Sequence, residues 1–184
     1  MEKNQPLFDL FRKNAELVSA KVKKIRTISE AVDYAADLVK KENTREKIIA
    51  APEFTESQLD ELKEKVPEAK IIQTDLSTYT KGILLAVTHA EFGIAETGTL
   101  AINSKDVDKR LATMIPDIHV VILSESNIVE TAEDLIPELN SILSKKAGYL
   151  AFVTGASRTA DIERVLVVGV HGPLELHILI REDA

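Results

Sequence analysis

The chain contains no cysteine and no tryptophan, and only 4% of its 184 residues are aromatic. Without cysteine there is no disulfide, no thiol nucleophile and no thiolate to hold an iron–sulfur cluster, so any redox centre that works with this chain sits on a partner. Scarce aromatics exclude a stacking platform for bases or sugars. Basic charge is also short: 23 Lys and Arg against 30 Asp and Glu leave a formal net charge of −7. Nucleic acid and anionic membranes, which need a basic surface, are therefore not the expected partners. No run approaches the roughly 18 apolar residues of a membrane helix, and the start MEKNQPLFDLF has no signal-peptide apolar stretch. No membrane insertion and a cytoplasmic location are the expectation.

Familiar motifs are missing as well. The seven glycines form neither GxGxxG nor GxxxxGK(S/T), and there is no GxSxG elbow. His89, Glu91, His119 and His171 carry metal-type donors, but no HxxxH or HExxH spacing joins them, so no protein-held metal is expected.

What is present suits a single globular domain with a full core, 45% hydrophobic and 29% charged. Leu7, Phe11, Ala15, Val18, Val22 and Ile25 recur at helical steps across residues 5–26. Thr27 and Ser29 offer caps for a second helix bearing Val32, Ala35, Ala36 and Val39. Residues 1–43 therefore read as a helical arm, packed on or partly projecting from a main domain at 44–184. From Lys47 the pattern turns α/β. Lys47–Ala51 and Ala69–Ile72 read as short strands around a helix that opens on a capping box at Thr55 and Gln58. Ile83–Val87 fits either a buried strand or a helix, and Asp117–Leu123 reads as a parallel strand covered on both faces. Thr131–Lys146 has helical spacing, with Pro137 kinking it or marking a later start. Tyr149–Val153 and Glu175–Ile180 are further strands. Strands alternating with helices, plus one hairpin, predict a mixed sheet flanked by helices.

The stretch Glu91–Asn103, EFGIAETGTLAIN, is that hairpin. Gly98 there supplies either a positive φ or close approach of a ligand to bare backbone. Glu96, Thr97 and Thr99 set a carboxylate and two hydroxyls around the turn; they either meet a ligand or satisfy their own backbone. A second candidate is TGASRTADI, directly after the Tyr149–Val153 strand. Gly155 opens a turn beyond a strand's carboxyl end, and Ser157 or Thr159 can cap a short helix. Arg158 suits a carboxylate or phosphate, and Asp161 is either a base or a first-turn carboxylate. In GVHGP, His171 and Gly172 belong to a loop, and His171 meets either a ligand or backbone. Arg110 either reaches back toward the hairpin or makes a surface ion pair.

Taken together and in this order, IAETGT at Ile94–Thr99, SRTADIE at Ser157–Glu163 and GVHGP at Gly169–Pro173 resemble the LUD (lactate-utilisation) domain family. The resemblance spans roughly Lys47–Arg181 and points to the family's lactate utilisation protein C branch. It implies a NagB/RpiA/CoA-transferase-like α/β fold. It also implies a role beside iron–sulfur partner subunits in bacterial oxidation of L-lactate to pyruvate, with no cofactor on this chain. Catalytic roles for Glu96 and Asp161 are expectations from residue type, since the branch supplies no assigned catalytic residues. A small anionic ligand would be held by Thr97, Gly98, Thr99, Arg110, Gly155, Ser157, Arg158, Thr159, His171 and Gly172, with a homo-oligomer possible. Two other readings stand: an independent CoA-transferase-like or sugar-phosphate-isomerase-like enzyme using Glu96, its pKa raised by Phe92 and Ile94, and a scaffold without ligand.

Overall fold

A computed structural model describes residues 5–44, 46–79, 82–138, 149–159, 167–168 and 172–183. Its N-terminal stripe is interrupted. Helix α1 (Gln5–Leu17) ends where Ser19 adopts φ 67°, and the chain then runs straight as strand β1 (Ala20–Ile25). The single helix expected over 5–26 is therefore a helix and a strand. Sheet pairing outweighs helical periodicity here: β1 runs parallel to β12 (Glu175–Arg181) from Ala20 opposite Leu176 to Ile25 opposite Arg181. Phe8, Phe11 and Ala15 of α1 are buried. At roughly 1.5–3 kcal/mol for each large apolar side chain removed from water, α1 packs rather than projects.

Helix α2 (Ile28–Lys41) starts as its sequence predicts, with the Glu30 N–H donating to the Thr27 hydroxyl. After β2 (Ile48–Ala50), helix α3 (Glu56–Lys65) opens on the Thr55–Gln58 capping box. Then come β3 (Lys70–Ile72) and β4 (Ile83–His89), so the ambiguous apolar run is a strand. β5 (Phe92–Ile94) and β6 (Thr99–Asn103) form the expected antiparallel hairpin. Helix α4 (Val107–Ala112) leads to β7 (Ile118–Ser124), which is parallel to both its neighbours. β8 (Ile128–Val129) is followed by a 3₁₀ turn at Glu133–Leu135, and residues 136–138 are helical. Pro137 thus falls in a first helical turn, where its missing N–H costs nothing. β9 (Leu150–Val153) and the short pair β10 (Arg158–Thr159) and β11 (Val167–Val168) complete the elements among the described residues.

Six parallel strands form the main sheet in the order β1-β12-β7-β4-β2-β3. α2 and α3 cover one face, where Val32, Val39 and Leu62 meet Ile49, Leu85, Val120 and Leu179. α1 and the hairpin cover part of the other, where Phe11, Leu100 and Ile102 share a core with Val121, Leu123 and Ile178. Ala112 of α4 covers Ile48, Ala50 and Ala86 beside them. A second sheet, β8-β5-β6-β9, is built on the hairpin. Within the main sheet the chain steps from β2 out to the edge at β3, then returns to β4 on the other side of β2. The crevice beyond the carboxyl ends of β2 and β4 is thus the topological switch point, where open α/β sheets bind ligands.

Candidate functional site

The hairpin has two ends, and each opens on a cleft. At the turn, the Ala95 N–H donates to the Val129 carbonyl at 2.8 Å and the Glu96 N–H to the Glu130 carbonyl at 3.0 Å. From the other side, Asn14 Nδ2 donates to the carbonyls of Ala95 (2.8 Å) and Glu96 (3.0 Å). Gly98 has φ 64°, and a Cβ there would lie 2.2 Å from the Ala15 nitrogen. Positive φ and a close approach are both real, but the approaching backbone is α1. Glu96 itself is exposed. The apolar walls expected around it lie below, in β5, with Ile94 buried beside Ala101 and Leu135.

β6 pairs with β9, Leu100 opposite Val153, and this register carries Thr99 to Thr154. Thr97 Oγ1 donates to Thr99 Oγ1 at 2.8 Å, and Thr99 Oγ1 lies 2.7 Å from Thr154 Oγ1. Gly155 has φ 71°, with the Val18 carbonyl oxygen 2.2 Å from where a Cβ would stand. The Ser157 N–H donates to the Pro173 carbonyl at 2.9 Å, and Gly172 packs on Ser157. Val18, residues 152–157 and residues 172–173 wall an open cleft of about 460 Å³. The Thr99–Thr154 contact therefore joins the hairpin motif to the loop that walls this cleft, and Ser157 joins that loop to Gly172 and Pro173; Thr97, Gly98 and Thr99 sit behind the wall and do not line the cleft. Arg158 and Thr159 follow at once as backbone of β10, paired with Val168 and Val167.

Two expectations change here. β9 belongs to the antiparallel sheet, so the rule for carboxyl ends of parallel strands does not apply to it. Ser157 precedes a strand rather than a helix, so it caps none; its backbone is turned toward Pro173 instead. Arg110 stays away from the turn. Its Nε donates to the Ser104 carbonyl at 3.0 Å, and its guanidinium lies 4.3 Å over the Tyr149 ring. Asp161 and His171 lie outside the described residues.

At the hairpin's base, sequence reasoning missed a charged constellation. Lys109 of α4 is 7% exposed and places its ammonium 2.9 Å from Glu53 Oε1 and 3.1 Å from Glu91 Oε1. Glu53, three residues past β2, also accepts the His89 N–H at 2.7 Å. Glu91 accepts the Asn103 N–H at 2.5 Å. Burial alone would push the Glu53 carboxyl up, but hydrogen bonds from His89 and Lys109 outweigh it and hold it at about 2. With Lys105 and Asp106 these groups line an open cleft of about 470 Å³ at the switch point between β2 and β4. Beneath the strand ends, His119 is fully buried, its Nε2 2.9 Å from Thr88 Oγ1. Burial drives its pKa down to about 3, against the pull of Glu53's charge. In the sequence His89 and His119 stand out only as metal-type donors, and Glu91 as one of these at the start of the hairpin. Among the described residues no group of three His, Cys, Asp or Glu is arranged to hold a metal. Strand order would have exposed the base constellation, and spacing along the chain does not contain it.

The LUD domain family model matches residues 8–180. A lactate utilization protein C from Deinococcus radiodurans is 33% identical over 95 residues, covering 51% of this chain and 44% of that protein. Another, from Bacillus pumilus, is 31% identical over 101 residues, covering 53% and 42%. These matches span less than half the length of either relative. A crystal structure of a DUF162 family protein from Deinococcus radiodurans superposes with a TM-score of 0.68, covering 98% of this chain and 99% of that one at 16% identity. That likeness is one of fold.

Proposed function

The chain belongs to the LUD domain family, and on that footing we propose that it serves lactate utilisation by holding a small 2-hydroxy or 2-oxo carboxylate in the cleft at the hairpin's turn. The relatives named for lactate utilisation support the pathway, and electrostatics supports the cleft. Three carboxylates (Glu53, Glu91 and Asp106) and two ammonium groups (Lys105 and Lys109) line the base cleft among the described residues, and Lys109 is already shared between two of the carboxylates. An anion entering there meets repulsion. Among the described residues no acidic side chain lines the turn cleft; it offers hydroxyls and loop backbone. The observation that carries the reading is the 2.7 Å contact between Thr99 and Thr154, which ties the hairpin motif to a residue of the cleft wall.

In this reading the electrons of lactate oxidation pass to iron–sulfur partner subunits, because a chain without cysteine has no thiolate for a cluster. Its place is then the cytoplasm, where lactate is metabolised. Among the described residues no helix is long and apolar enough to cross a membrane. The test is a pair of measurements. Calorimetric titration of the purified chain should show pyruvate or L-lactate binding. Cells deleted for the chain should lose growth on L-lactate and regain it on complementation. Unimpaired growth in a strain without a second copy, together with no measurable binding, would remove the proposal.

A further inference from the structure

The turn cleft contains more order than a pair of touching loops. A hydroxyl has one proton to give and two lone pairs to receive. Thr97 Oγ1 gives its proton to Thr99 Oγ1. Thr99 is 6% exposed, and a buried hydroxyl proton needs an acceptor. Thr154 Oγ1, at 2.7 Å, is positioned to be that acceptor. Either hydroxyl of the Thr99–Thr154 pair can donate by distance alone; Thr99's role as acceptor from Thr97 and its burial favour the direction from Thr97 through Thr99 to Thr154. Thr154 is exposed on the cleft wall; in that direction it accepts from Thr99 on one lone pair and keeps its own O–H for whatever occupies the cleft. Donors aligned in series polarise one another, and the last of them is strengthened.

We infer that this run of three hydroxyls makes Thr154 an obligate hydrogen-bond donor into the cleft, so that the site selects an ionised carboxylate over the neutral amide of the same shape. Thr97 acts as a positioning residue that sets the direction without touching the ligand. The inference rests on the carboxylate reading above and adds the residues that determine specificity. A hydrogen bond to an ionised acceptor is about twice as strong as a neutral one, and a donor pinned in one direction gains most from it. An amide offers a weaker acceptor on one side and an opposing donor on the other.

The probes are pyruvate and pyruvamide, titrated calorimetrically into the full chain and its variants, with circular dichroism and thermal midpoints recorded for each. Pyruvate should bind at least about tenfold more tightly than pyruvamide to the unaltered chain. Thr154→Val should weaken pyruvate by about tenfold, while Thr154→Ser, which keeps the hydroxyl, stays within about threefold. Thr97→Val frees the Thr99–Thr154 pair to reverse, so it should weaken pyruvate by about threefold and leave pyruvamide unchanged. A purely structural role for Thr97 would move both ligands together, and that result overturns the inference. Pyruvate binding indifferent to Thr154→Val also overturns it, while leaving the carboxylate reading in place. No pyruvate binding by the unaltered chain overturns the inference, and no binding of L-lactate either removes the carboxylate reading with it.

Discussion

The turn of the β5–β6 hairpin is held by backbone shape and hydroxyls, while its base is held by charge. Asn14 and the left-handed Gly98 lock the turn against α1, and the neutral hydroxyl residues Thr154 and Ser157 line the cleft beyond. At the base, a buried ammonium ties the loop after β2 to the end of β4 and to α4. The contrast separates two things that a motif can mark. IAETGT is conspicuous because its conformation leaves no room for other residues, whereas Glu53 and Lys109 are inconspicuous because nothing local constrains them. An ion-paired cluster at a switch point is then a clamp between elements, and the ligand proposed above is assigned to the other end, which hydroxyls and loop backbone line.

The largest effect should come from breaking the turn. Gly98→Ala places a methyl group against the Ala15 backbone in a left-handed conformation. It should cost roughly 2–5 kcal/mol, with Tm falling by roughly 5–15 °C in thermal denaturation. An unchanged Tm would mean that backbone shape does not hold this end. At the base, Lys109→Met leaves Glu53 and Glu91 facing each other and should cost roughly 2–4 kcal/mol in urea denaturation, partly restored by adding Glu53→Gln.

Acid sharpens the comparison further. Glu53 titrates at about 2 in the folded chain against an ordinary 4.5, so its contribution is fully present above pH 4.5 and is lost as pH falls toward 2. The contribution reaches at most ~3 kcal/mol, and Glu53→Gln should flatten that part of the stability profile. Stability should begin to fall earlier, below pH 6.5, because His119 at about 3 and His177, lowered by burial, stay neutral when folded while the unfolded chain takes up protons. That upper part should be insensitive to Glu53→Gln. The smallest effect belongs to Arg110→Lys, which loses the guanidinium's stacking on Tyr149 and its fork onto the Ser104 and Lys105 carbonyls. It should cost about 1 kcal/mol by the same denaturation assay.

Legibility in the sequence followed the range of the interactions. The caps at Thr27 and Thr55, the hairpin, and the buried strands at β7 and β12 could all be read because each is specified within a few residues. β1 could not. Its helical spacing is complete in sequence, and only pairing with β12, about 150 positions away, makes it a strand. At the motif loops the turns at Gly98 and Gly155 were legible from their glycines, whereas the Thr99–Thr154 contact depends on the β6–β9 pairing, which no local signal carries. The base constellation draws on β2, β4, β6 and α4, and only strand order makes those neighbours.

The most direct test of where the ligand sits is a titration of isotope-labelled chain with pyruvate, followed by amide NMR. The account predicts saturable shifts concentrated at residues 97–99, 154–157 and 172, with Glu53, Glu91, Asn103 and Lys109 unmoved. Saturable shifts centred on the latter four, with the turn unmoved, would contradict it.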